Sequence, residues 1–253
     1  MKIISYNING IRAGLKKGFL DWLKIENPDV LCLQEIKAME NQFDVKVFDQ
    51  LGYKSFWYPA EKKGYSGVAI LTKLPMKNVK LGIEKEHFDI EGRVIQMDFE
   101  KLSVISLYLP SGTNISRLEY KFEFMDQFQF YIDNLKKKYP YLVICGDYNI
   151  CHKSIDIHDP VRNKNVSGFL PEERLWIEKF ISKGFVDSFR HLNPEPHNYS
   201  WWSYRANSRE KNKGWRIDYI MVSESLQKNI SRSYILNKVY HSDHCPIGLE
   251  LDV

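Results

Sequence analysis

The residues of this chain best suited to chemistry are polar side chains that close short apolar runs. The clearest group is Ser242-Asp243-His244, set directly before Cys245-Pro246 and a last apolar run. A histidine can take up and return a proton near neutral pH. His87, His191 and His197 read as surface or core histidines. His244 differs, because Asp218 lies within the run Ile217–Val222 and offers a buried carboxylate. An aspartate against one ring nitrogen fixes the tautomer and stabilises the imidazolium.

The same pattern recurs along the chain. Side chains on a strand alternate faces, so residues two apart share one. On that rule Asn7 and Asn9 extend the row of Ile3, and Glu35 extends that of Leu31 and Leu33. Asp147 and Asn149 extend the row of Val143 and Cys145, and Asp218 that of Ile220 and Val222. Each row ends in a carboxylate or amide where burial is expected, and a buried charge is expensive unless it meets a cation, a metal or a hydrogen-bond partner. One such residue is as readily a turn cap. Several together predict a shared polar floor that holds a hard cation, since Mg²⁺ takes one or two carboxylates plus waters and phosphate oxygens.

Strands must carry these residues. Lys2–Tyr6, Asp29–Leu33, Gly67–Leu71, Val94–Phe99, Ser103–Leu109, Tyr141–Cys145, Ile217–Val222 and Ile247–Leu251 are short, bounded and rich in Val, Ile and Leu, which predicts strands. Between them, Leu118, Phe122, Met125, Phe128, Ile132 and Leu135 step by three or four residues and predict a helix starting near Arg117. Pro171-Glu172-Glu173-Arg174 opens another, and a third covers Phe19–Glu26. Many strands with few helices imply two packed sheets with helices outside. No repeat or Pro/Gly/Ser-rich linker divides the chain, so one domain over residues 1–253 is expected.

Composition sets bounds. A net charge of +4 and a pI near 8.7 are mildly basic and do not by themselves identify a nucleic-acid partner. None of the four cysteines forms a C-x-x-C pair, which argues against a thiolate zinc site and fits a reducing compartment. Residues Met1–Asn9 meet polar residues too early for a signal peptide, and no apolar run is long enough to span a bilayer. The expectation is a soluble cytoplasmic protein. Arg162, Lys164, Arg205, Arg209, Lys211 and Lys213 are candidates for phosphate contact, the last four lying among Trp201, Trp202, Tyr204 and Trp215, while Trp202 has core packing as a strong rival role.

The ordered series Asn7-Ile8-Asn9-Gly10-Ile11-Arg12, Leu33-Gln34-Glu35, Tyr108-Leu109-Pro110, Gly146-Asp147-Tyr148-Asn149, Gly214-Trp215-Arg216-Ile217-Asp218-Tyr219 and Ser242-Asp243-His244 resembles the exonuclease III type of apurinic/apyrimidinic (AP) endonuclease. The matches run from the first predicted strand to the last. Ile155–Asn163, Ser167–Arg174 and Tyr199–Trp215 are similar to the loops that distinguish these DNA-repair enzymes from other members of their superfamily.

The resemblance implies an α/β, four-layer αββα sandwich of two mixed β-sheets flanked by helices, with a DNase I-like architecture. It implies Mg²⁺- or Mn²⁺-dependent hydrolysis of double-stranded DNA on the 5′ side of abasic sites, removal of blocked 3′ ends, and 3′→5′ exonuclease action by a monomer. Carried over residue by residue, Glu35 is the main metal ligand, with Asp243 assisting and Asn9 beside them. Asn7 orients the acids, Asp147 positions or deprotonates water, and Asn149 holds the scissile phosphate. Tyr108 contacts the phosphate, and His244, buttressed by Asp218, binds a phosphate oxygen or acts as base. Trp201, Trp215 and Ile217 line a pocket for the abasic sugar, with Asn163, Arg162, Lys164 and Arg209 on the DNA. Two departures stand out. Asn9 replaces the Asp of some relatives, which leaves one or two metals open, and the loop Ser111–Ser116 lacks a basic residue, Arg117 being the nearest cation. A sister phosphodiesterase acting on a non-DNA ester and a non-catalytic DNA-binding module are the rival readings.

Overall fold

The computed structural model describes residues 1–253 and gathers the apolar runs into two six-stranded sheets. The strands are β1 (Lys2–Asn7), β2 (Val30–Gln34), β3 (Lys54–Tyr58), β4 (Val68–Thr72), β5 (Asn78–Leu81), β6 (Val94–Asp98), β7 (Ser103–Tyr108), β8 (Leu142–Asp147), β9 (Phe185–Asp187), β10 (Asp218–Ser223), β11 (Ile230–Ile235) and β12 (Ile247–Leu251). The sheet orders are β11-β12-β1-β2-β4-β3 and β5-β6-β7-β8-β10-β9. Each holds a central parallel pair, β1/β2 or β7/β8, between antiparallel neighbours, so both sheets are mixed.

The helices are α1 (Ile11–Lys16), α2 (Phe19–Glu26), α3 (Lys46–Asp49), α4 (Glu86–Asp89), α5 (Ile115–Leu135), α6 (Pro160–Asn163), α7 (Pro171–Ser182) and α8 (Ser188–Leu192). The Asn114 side chain caps α5 by accepting from the Arg117 N–H, which moves its start two residues ahead of the expected Arg117.

Alternation along the strands builds the layers. Ile3, Val30, Cys32 and Val68 meet Val104, Val143, Cys145 and Ile220 between the sheets. On the outer face of the first sheet, Ile4, Tyr6, Leu31 and Leu33 pack with Phe19 and Leu23 of α2 and Phe48 of α3. On the outer face of the second, Ile105, Leu107 and Ile144 pack with Phe124, Phe128 and Ile132 of α5 and with Ile177 and Phe180 of α7. The expected four-layer sandwich is present. The unforeseen strands β3, β5, β9 and β11 are all sheet edges. No helix is long and apolar enough to cross a membrane.

Candidate active site

One edge of the paired sheets collects the polar residues. β1, β2, β7 and β8 end there, and β10 begins there because it runs antiparallel to β8. Asp147 stands in register with Tyr108 on one side and Asp218 on the other. Two carboxylates facing across a strand pair repel, and His244 sits between them. Its Nδ1 is 2.9 Å from Oδ2 of Asp218, and its Nε2 is 3.9 Å from Oδ2 of Asp147. Asn7, fully buried, ties the two sheets together. Its Nδ2 donates to Oε1 of Glu35 at 2.9 Å and to Oδ2 of Asp147 at 2.8 Å, while its Oδ1 accepts from the Asn9 N–H.

Strand parity places Asn7, Asp147 and Asp218 correctly, on the inter-sheet face with Ile3, Cys145 and Ile220. For Glu35 the parity argument fails, because Leu31 and Leu33 face the outer helices. Glu35 reaches the site through a left-handed backbone with φ of 51°, which redirects the chain just past β2. Asn9 and Asn149, just past β1 and β8, have φ of 46° and 50°. Side chains held in this region cluster at functional sites, where surrounding contacts enforce the strained backbone.

Lys37 was not foreseen. Its ammonium bridges Oε2 of Glu35 at 2.5 Å and Oδ1 of Asn9 at 2.6 Å. The chain continues from Nδ2 of Asn9 to Oδ1 of Asp243 at 2.8 Å, and Oδ2 of Asp243 accepts from the Trp201 indole at 3.0 Å. Spacing gave no signal for it, because Glu35 and Lys37 both lie past β2 with left-handed backbones, φ of 51° and 50°, where strand alternation does not hold.

Electrostatics separate the acids. Burial and the neighbouring Asp218 push the Asp147 carboxyl up to about 7, against the pull of His244. Burial disfavours the His244 imidazolium, but Asp218, Asp147 and Asp243 outweigh it and carry the ring up to about 10. Burial would raise Glu35, yet Lys37 and Asn7 hold it below the usual range. Asp243 is likewise held down, by His244, Asn9 and Trp201, despite burial. Burial and the Glu35 charge keep the Tyr108 phenol protonated, with its ring over the Arg93 guanidinium at 4.8 Å.

Glu35, Asp147 and His244 each place a donor atom within 4.8 Å of the other two. Glu35 and Asp147 offer carboxylate oxygens, and His244 offers its Nε2, since its Nδ1 faces Asp218. Oxygen donors without thiolates suit a hard divalent cation, and the residues fit one. The Lys37 ammonium sits on both Oε2 of Glu35 and Oδ1 of Asn9, so a cation bound by either residue would displace it.

Beside the acids, Cys151, Ile157, Phe169 and Ile217 form an apolar cluster against which Trp201 and Trp215 pack. The two indoles meet edge to face at 5.9 Å. Gly168, at φ of 94°, makes this possible, since a Cβ there would lie 2.8 Å from the Trp215 ring. Trp201, Trp215 and Ile217 are thus brought together as expected, whereas Trp202 is buried with Tyr199 and Cys245.

The expected DNA contacts divide. Arg162 and Lys164, at and just after α6, are exposed. Arg209, expected on the DNA, is engaged within the protein. Its guanidinium lies 4.6 Å from the Trp202 ring centroid and 4.2 Å from that of Tyr240, and it donates to the carbonyls of Asn237, Val239 and Ser242. It braces the turn carrying Asp243 and His244 and has little left for a phosphate. The Asn163 amide donates to the His158 and Asp159 carbonyls and so shapes its own turn. Arg117 is paired with Glu91 and Tyr65. A cleft of about 770 Å³, lined by Gly10, Arg12, Lys16, Lys37, Phe43 and Gly64, adjoins the site through Lys37 and offers cations that sequence reasoning missed.

The profile of the Endonuclease/Exonuclease/phosphatase family matches residues 4–244. An exodeoxyribonuclease of Bacillus subtilis is 44% identical, with 100% of each chain covered. The DNA repair nuclease APEX1 of Danio rerio is 42% identical over 100% of this chain and 83% of its own length. The structure of an AP endonuclease from Archaeoglobus fulgidus superposes with a TM-score of 0.90 at 31% identity, covering 100% of both chains. The chain belongs to the endonuclease/exonuclease/phosphatase family, on the exonuclease III-type AP endonuclease branch.

Proposed function

We propose that this chain is a DNA-repair phosphodiesterase, acting as a single-domain monomer, that cuts duplex DNA on the 5′ side of an abasic site and also clears blocked 3′ ends. The observation that carries this reading is that Trp201, packed with Trp215 and Ile217, lies beside His244 with ring centroids 6.4 Å apart and is bonded to Asp243. An abasic sugar, which has no base to unstack, leaves the helix at low cost and fits such a wall.

Glu35 would hold a divalent cation, Mg²⁺ or Mn²⁺, whose chemistry there would be to neutralise phosphate charge. The protein supplies the rest. Asp147, ionised above a pH of about 7, accepts a proton from the attacking water. His244 keeps its proton to about 10 and therefore serves as a cationic donor to a phosphate oxygen, which favours Asp147 as the base. Asp218 holds the ring in place, and Asn7 orients Asp147 and Glu35 together. Tyr108, kept protonated, donates to the phosphate, and Asn149 registers it. Arg12, Lys16, Arg162 and Lys164 hold the backbone without reading sequence.

The test is a duplex carrying one tetrahydrofuran abasic analogue, incubated with Mg²⁺ or with chelator. Metal-dependent nicking 5′ to the analogue is expected. An intact duplex together with turnover of inositol phosphates would overturn the reading.

A further inference from the structure

Lys121 of α5 and Glu173 of α7 form an ion pair at 2.5 Å with both side chains fully buried. Burying two charges costs several kcal/mol that their attraction does not always recover, and apolar residues would fill the same space between two helices. What the pair contacts gives a reason for it. The Lys121 ammonium also donates to the carbonyl of Asn149 at 2.9 Å. Glu173 accepts from the Gly168 and Leu170 N–H groups at 2.6 and 3.0 Å, and from the Ser167 hydroxyl at 3.0 Å. The pair therefore joins the turn that presents Asn149 to the segment Ser167–Leu170.

That segment packs against Trp215, which belongs to the proposed sugar wall. Gly168 approaches both the Trp215 ring and the Asn149 carbonyl so closely that a Cβ would lie 2.8 and 3.2 Å from them, and its own carbonyl accepts from the Cys151 N–H at 2.7 Å. Asn149 is held from the other side by its amide on the Leu109 carbonyl and by its N–H on Asp147. Its left-handed backbone, with φ of 50°, is one that asparagine tolerates, and these contacts fix where the side chain points. We infer that Lys121 and Glu173 are positioning residues that lock the phosphate-holding Asn149 to the Gly168–Trp215 wall, so that the scissile phosphate and the extruded sugar are presented in one fixed geometry. The inference rests on the function proposed above.

The experiment measures steady-state incision of the abasic-analogue duplex with Mg²⁺ by the wild type, Lys121→Met, Lys121→Met/Glu173→Gln and Lys121→Arg, each well below its own melting temperature. Losing the Asn149 tether is expected to lower kcat by about tenfold or more in both Met variants, with KM changed less than about twofold. The double variant buries no unpaired charge, so it should melt closer to the wild type than Lys121→Met does and still be slow. Lys121→Arg should regain most of the kcat. Full kcat in the double variant, or losses that track melting temperature across the series, would overturn the inference; should Lys121→Met not fold, the double and Arg variants decide it. A wild type that leaves the duplex intact overturns the functional reading instead, so the two failures are distinguishable.

Discussion

Replacing Asp147 by Asn should abolish incision and yet stabilise the fold in alkaline solution. The Asp147 carboxyl has an ordinary value of 3.8 and is pushed to about 7 by burial and by Asp218. A group raised in the folded state favours folding fully only below its unfolded value, and that contribution is lost as the pH rises to the folded one. The penalty for the ionised form thus grows from a pH of about 4 to about 7 and is constant above. At roughly 1.4 kcal/mol per unit it reaches about 4 kcal/mol. Asn accepts with only one of its two side-chain atoms, so one of the bonds from Asn7 Nδ2 and the Asn149 N–H is lost, at about 1–2 kcal/mol. The net gain of about 2–3 kcal/mol corresponds to a melting temperature higher by roughly 5–10 °C. The assay is calorimetry in chelator at pH 5 and pH 8.5, with incision measured in parallel in Mg²⁺. The variant should exceed the wild type at pH 8.5 and much less so at pH 5. A variant that melts at or below the wild type at pH 8.5, or by the same margin at both pH values, would refute the reasoning.

Trp215→Ala opens the wall of the sugar pocket without touching the acids, so abasic incision should fall more than tenfold, on the order of the 10²-fold cost of a displaced substrate, while 3′-end trimming falls less; equal losses would count against the pocket. Arg209→Ala removes two ring contacts and three carbonyl bonds, a loss of about 2–4 kcal/mol that calorimetry would register, with the salt dependence of DNA binding unchanged. Arg12→Ala should do the reverse, with the slope flattened by about one and melting near the wild type. A flattened slope in Arg209→Ala would restore that residue to the DNA.

Central strands were readable because both faces are buried and their apolar runs are nearly unbroken, as in Val30–Gln34 and Val68–Thr72. The edge strands were not. Asn78–Leu81 and Ile230–Ile235 expose much of their length, so neither a run nor a clean alternation marks them. Sheet pairing, a non-local event, decides such segments.

By itself the sequence determined which residue types close the strands, that Asn7, Asp147 and Asp218 face inward, and that Ser242-Asp243-His244 would find a carboxylate. These follow from local alternation and from the cost of burying charge. Only the tertiary structure decided the rest. Glu35 enters by a left-handed turn rather than by parity, Lys37 stands between it and Asn9, Arg209 is held between two rings, and Lys121 meets Glu173 from another helix. The reason is the same in each case. Whether a cation serves a phosphate or a neighbour depends on what packs against it from distant parts of the chain, and spacing along the chain does not encode that.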